Sequence, residues 1–138
     1  MHRVLVTGSR EWTDIKTVYN TLTDYWLENG NFVLVHGDCP KGADSYADQW
    51  AGWSSIYPGF NVTVERFPAD WSLGRGAGPI RNQKMVDAGA DICFAFPTDN
   101  SRGTLDCIRR ARAAGIPIKV THQNPENANF MAEGKKKK

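Results

Sequence analysis

Four stretches combine small residues with groups that hold anions or carry protons: TGSREW (7–12), HGDCPKGAD (36–44), PADWSLGRGAGPIRN (68–82) and PTDNSRGT (97–104). Thr7, Gly8, Ser9 and Arg10 come from the first and His36 and Gly37 from the second. The third supplies Asp70, Arg75, Arg81 and Asn82, the fourth Pro97, Ser101, Gly103 and Thr104, and Asp106 follows two residues later. Glycine lets the main chain approach a ligand closely, and the free N–H groups at a helix start attract phosphate or carboxylate. Ser9, Ser101 and Thr104 add hydroxyl donors. The planar guanidinium of Arg81 can grip a phosphate at two points, and Arg10 can cover a ligand from above. Taken singly, each is also an ordinary turn, capping or surface residue, and Arg81 could instead pair with Asp87; the convergence of several on one edge argues for binding.

Among acids, Asp70 is the first candidate for proton transfer and Asp106 the second. His36 closes an apolar run, where a hydrogen-bonded structural histidine is expected ahead of a general base. Asp44 sits near a helix start, and the helix dipole alone accounts for a carboxylate there. Trp12 and Trp71, at loop-to-helix joins, read as core plugs rather than stacking platforms. Arg109, Arg110 and Arg112 read as a solvated face late in a helix, and no His lies near Cys39 or Cys107 in sequence to activate either thiol. Neither GxGxxG nor GxxxxGK[ST] occurs.

Each stretch follows a short apolar run. The runs RVLVTG (3–8), FVLVHG (32–37), VTVERF (62–67), DICFAFP (91–97) and IPIKVT (116–121) are rich in β-branched and aromatic residues and nearly continuous. That is the pattern of strands covered on both faces. Between the first two, Ile15, Val18, Tyr19, Leu22 and Trp26 recur at helical spacing before Gly30. Further helices are expected over Ala43 to about Trp53, from Pro79 to near Gly89, and from about Thr104 to Ala114. The alternation predicts an α/β domain with one doubly wound parallel sheet of about five strands and helices on both faces. With strand order 3-2-1-4-5, the first and fourth loops face each other across the crevice where such sheets bind ligands.

A chain of 138 residues with 41% hydrophobic content fits one domain, here residues 1–121, followed by a polar tail (122–138) that lacks periodicity and is expected to be flexible. Four of the seventeen cations are Lys135 to Lys138, so residues 1–134 carry thirteen against fifteen acids, a net charge of −2. That balance argues against phosphate-backbone binding by the whole surface. Three cysteines without a CxxC pair indicate neither a zinc cluster nor a disulfide framework, and no metal or cofactor is expected. No signal peptide is apparent and no run approaches the ~18 apolar residues of a membrane span, so a cytoplasmic protein without membrane partners is expected.

Read in order, VLVTGSREW, HGDCPKGAD, ERFPADW, GRGAGPIRNQKMVDAGAD and AFPTDNSRGTLD resemble the SLOG superfamily, specifically its small YspA-like branch related to YpsA, over residues 3 to about 121. The resemblance implies a Rossmann-like sheet that holds nucleotides or nucleotide-derived ligands at its strand ends. It also implies a homodimer, since the related LOG phosphoribohydrolases assemble through their helices. Arg81 and Met85 match the helix motif of those hydrolases, and Pro97, Gly103 and Thr104 match parts of their PGGxGTxxE loop. Cys107 stands where they carry the catalytic Glu, and a thiol cannot replace that carboxylate. Asp106, one residue earlier, is turned about 100° away on a helix.

The leading expectation is therefore binding of a ribose-phosphate compound, ADP-ribose or a nucleotide sugar. One alternative is a nucleoside 5'-monophosphate N-glycosidase in which Asp70 or Asp106 replaces the missing Glu and Arg81 holds the phosphate. Another is single-stranded nucleic-acid binding of the DprA type, through Arg10, Arg75, Arg81, Arg102 and the lysine tail.

Overall fold

The computed structural model describes residues 2–127. Strands β1 (His2–Gly8), β2 (Phe32–His36), β3 (Thr63–Arg66), β4 (Ile92–Phe96) and β5 (Ile118–Val120) form one parallel sheet in the order β3-β2-β1-β4-β5. Helices α1 (Ile15–Asn29), α2 (Ala43–Ser54), α3 (Ala77–Asp87) and α4 (Arg102–Ala113) connect them, and a 3-10 turn (Trp71–Gly76) leads into α3. This is the doubly wound sheet that the apolar runs predict. The winding reverses between β1 and β4, whose register sets Val6 beside Phe94 and Gly8 beside Phe96.

Successive side chains along a strand point to opposite layers. Val4, Val6, Phe32, Leu34, Phe94 and Phe96 pack with Val18, Leu22 and Trp50 in the layer of α1 and α2. Leu5, Val35 and Cys93 pack with Met85, Val86, Cys107 and Ala111 in the layer of α3 and α4. The first layer is aromatic: Trp50 stacks on Phe32 at 5.7 Å, meets Phe60 edge-on at 5.2 Å, and donates its indole N–H to Thr23 Oγ1 at 2.9 Å. The second uses smaller side chains, which lets α3 and α4 lie against the sheet with their N-terminal ends at the strand tips.

Local signals set where the helices begin. Asp14 caps α1 by accepting the Thr17 N–H at 3.0 Å, and its other oxygen accepts the Asn124 N–H at 2.8 Å. Gln123 in turn accepts the Thr13 N–H at 3.1 Å, so residues 123–124 of the polar tail return to the loop between β1 and α1. The rest of that tail, 128–138 with its lysine run, lies outside the described residues. Asp14→Ala removes the cap and strips the Asn124 amide of its partner; the expected cost is about 2 kcal/mol, seen as a lower urea midpoint at unchanged slope.

Two boundaries differ from the pattern. Helix α3 starts at Ala77, two residues before Pro79, after a kink at Gly74 (φ +75°) inside the 3-10 turn. Pro79 remains in the first turn, where its missing N–H costs nothing. Helix α4 starts at Arg102, which places Gly103 and Thr104 inside its first turn.

Candidate functional site

Beyond the carboxyl ends of β1 and β4 opens a cleft of about 650 Å³. Thr7, Gly8, Ser9 and Arg10 line it from the β1–α1 loop, and Arg75, Arg81 and Asn82 from the 3-10 turn and α3. Ser101, Gly103, Thr104 and Asp106 close it from α4. The structure thus brings together residues from all four polar stretches, with Cys39 and Asp44 entering from the second. His36, Gly37, Asp70 and Pro97 are not among the lining residues.

The serines of the cleft are engaged with Thr98. Ser9 donates its N–H to Phe96 O at 3.0 Å, and its hydroxyl accepts from Glu11 N at 3.0 Å and from the Thr98 hydroxyl at 2.7 Å. Ser101 Oγ accepts the Thr98 N–H at 2.6 Å. The two serines therefore tie the first and fourth loops together through Thr98 by accepting hydrogen bonds, while both still line the cleft. Because Ser101 turns to Thr98, it makes no capping hydrogen bond to α4. The uncapped amides of that first turn, around Gly103 and Thr104, are the main-chain donors left for an anion.

Arg81 is partly committed to the fold. Its Nη1 donates to Gly37 O and, at 3.4 Å, to Phe67 O, while Nε donates to Asn82 Oδ1 at 2.9 Å. It thereby braces the ends of β2 and β3 against α3, and its Nη2 makes no hydrogen bond among the described residues. Gly37 lies under this guanidinium, where a Cβ would collide with it, and does not line the cleft. Asn82 is buried and spends its amide on Gly103 O at 3.1 Å and Asp106 Oδ2 at 3.0 Å, a strut between α3 and α4.

The acids singled out from sequence are also occupied. Burial works against ionising Asp106, but its hydrogen bonds from Arg110 and Asn82 outweigh this and hold its carboxyl below the usual range. Asp70 lies on the surface, where it caps the 3-10 turn through Ser72, and those hydrogen bonds lower its pKa. Neither is poised to hold a proton. His36 is buried, accepts the Asp38 N–H on Nδ1 at 2.9 Å, and so presents Nε2–H to Asp48 at 2.7 Å, the structural role its strand-end position suggested. His36, Asp38 and Asp48 are the one group among the described residues close enough to share a cation, but Arg66 pairs with Asp48 at 2.7 Å and supplies the positive charge.

Trp71 corrects the expectation of a core plug. Trp12 is such a plug, buried with its indole N–H on Asp14 O, but Trp71 is 56% exposed at the mouth of the cleft. The Arg10 guanidinium lies 5.1 Å from its ring centre, a cation–π contact that bridges two walls. Trp71 escaped sequence reasoning because the glycines after it hid the 3-10 turn that carries it to the rim. With Arg10, Arg75, Arg81, Arg102 and Arg109 all lining the cleft, its field favours anions.

The sequence also undervalued Asp44. Helix α2 buries it at the inner end of the cleft, where Oδ2 accepts the Gly37 N–H at 3.1 Å and Oδ1 has no partner. Burial raises its pKa, against the opposing pull of Arg81. Burial likewise pushes the Cys107 thiol up to about 11, which removes it as a nucleophile, and raises that of Cys39.

The family model described as YspA, cpYpsA-related SLOG family matches residues 2–74. The chain belongs to that SLOG family. Its relatives include the Gene 61 protein of Mycobacterium phage D29, 50% identical over 120 residues that cover 86% of this chain and 94% of the phage protein. A 5-methylthioadenosine/S-adenosylhomocysteine deaminase of Pyrococcus furiosus is 38% identical over 66 residues, 47% of this SLOG chain but 15% of the deaminase. Among solved structures, the molybdenum cofactor binding protein of the phototrophic bacterium Rippkaea orientalis matches with a TM-score of 0.61 at 19% identity, covering 96% of this chain and 83% of that one. At that identity the match speaks for the fold. No helix among the described residues is long and apolar enough to cross a membrane.

Proposed function

We propose that this SLOG protein binds a small anionic, nucleotide-derived ligand, such as a nucleoside phosphate, ADP-ribose or a nucleotide sugar, in the cleft beyond β1 and β4. The observation that carries the reading is the uncapped first turn of α4, which opens on the same cleft as Arg81, Arg75 and Arg10. Amides at a helix start and a guanidinium with a free nitrogen suit phosphate oxygens, and the exposed ring of Trp71 suits a flat base or ribose. The volume lies within the ~300–1,000 Å³ usual for small-molecule sites. The Rippkaea protein is named for a molybdenum cofactor and the Pyrococcus enzyme for adenosine derivatives, names that agree with a ligand of this class.

A thermal-shift panel of AMP, ADP-ribose and a nucleotide sugar tests the reading. At ligand near 100 times Kd, binding adds about 2.7 kcal/mol, a rise in Tm of several degrees. A flat response to the whole panel overturns it. Base release from AMP is not expected, because Asp70 lies outside the cleft and Asp106 is held as a carboxylate by its partners. Binding should also weaken only slightly with added salt, whereas a groove for single-stranded nucleic acid would lose affinity steeply. The expectation of a homodimer goes with this reading, and sedimentation of the purified protein checks it.

A further inference from the structure

We infer that Asp44 is the proton-binding group of the cleft: an anion seated there is taken up together with a proton, which resides on Asp44 Oδ1. The inference rests on the anion-binding reading above and adds the identity of the group that answers the ligand.

Asp44 is the second residue of α2 and only 4% exposed, yet it lines the cleft. One of its oxygens is used by the Gly37 amide, and the other is enclosed without a hydrogen-bond partner among the described residues. A buried carboxylate oxygen left in that state is costly, and native structures relieve such groups by a proton, a donor or a ligand. The oxygen without a partner is Oδ1, so a proton added to the carboxyl settles there. A charged Asp44 would repel an incoming anion; a neutral one does not.

The surroundings leave this balance open to a ligand. His36 faces Asp44 from the end of β2, Cys39 from the loop before α2, Arg81 from α3 and Cys107 from α4, with Arg10 beside Cys39 from the β1–α1 loop. Burial favours the neutral acid and is the largest influence, whereas Arg81 favours the carboxylate, so the carboxyl is held above the ordinary range for Asp. Negative charge arriving in the cleft offsets Arg81 and tips the group further toward the neutral acid. Binding and protonation are then linked in both directions.

Calorimetry with ADP-ribose tests this, because its pyrophosphate diester lacks the monoester proton that titrates near pH ~6. Titrations in two buffers of different protonation enthalpy, repeated from about pH 5 to 9, give the protons taken up. The wild type is expected to take up a substantial fraction of one proton in the window where Asp44 titrates. Its affinity there should fall as pH rises, by at most about tenfold per pH unit for a single linked proton. In Asp44→Asn that uptake disappears and affinity becomes flat with pH. His36, Cys39 and Cys107 remain in the variant, so the difference between the two proteins reads Asp44 alone.

Carbon-13 titration of the carboxyl groups in the wild type gives the same answer without a variant: one Asp titrates with a midpoint above the ordinary range, and that midpoint rises further when ADP-ribose is added. Binding without proton uptake, or equal uptake in both proteins, overturns the role of Asp44 and leaves the anion site standing. Absence of any binding by the wild type overturns both.

Discussion

Gly42→Ala is expected to destabilise the protein by roughly 4 kcal/mol, the largest loss from adding a single methyl group to this chain. Gly42 precedes α2 at φ +81° and ψ −153°, a conformation that only glycine adopts freely. A Cβ there would strike Ser9 O and come within 2.6 Å of Arg10 Cα, both main chain and unable to swing aside. The Ala43 amide also donates to Ser9 O at 3.2 Å, so the substitution strains the junction that seats the β1–α1 loop on α2. Chemical denaturation should show the drop directly, and the cleft should lose affinity with it, because Arg10 and Asp44 flank the affected contact. A loss below about 1 kcal/mol would mean that the loop moves freely and that Arg10 is not held over the cleft.

Arg81→Ala is expected to weaken ligand binding about 10- to 100-fold and to erase the rise in Tm, the range that follows from losing a charged hydrogen-bond donor. The same change leaves Gly37 O and Asn82 Oδ1 without their guanidinium partner, so a stability loss of about 1–3 kcal/mol accompanies it. Arg81→Lys separates the two effects. Lysine restores the charge but cannot reach Gly37, Asn82 and a phosphate at once, so affinity should recover in part while the strand ends remain loosened. Calorimetry on the folded variants decides, and an affinity within twofold of the wild type in Arg81→Ala would remove Arg81 from the site.

Much of the fold was legible because the central strands are covered on both faces, and continuous apolar runs such as VLV in β1 and ICFAF in β4 can be satisfied in few other ways. The start of α3 was less so. Gly74, Gly76 and Gly78 look like breakers in sequence, yet only Gly74 departs from helical geometry inside the 3-10 turn. The site was legible as a place more than as a set of roles. Residues at strand ends met as expected, but the partner of each side chain is chosen by tertiary contacts that no local pattern reports. Ser9 and Ser101 find Thr98, Asn82 finds Asp106, and Asp44 loses its solvent because Gly37 and Arg81 close over it. The one hint was spacing: Gly42 and Ala43 before Asp44, opposite Gly8, leave so little bulk that close approach of two loops follows.

The walls of the cleft come from both sides of the sheet. Asp44 arrives with the layer of α1 and α2, and Arg81 and Gly103 with the layer of α3 and α4. A bound molecule would therefore act as a rivet, fastening two halves whose winding parts company at β1 and β4, and would slow the opening of one against the other.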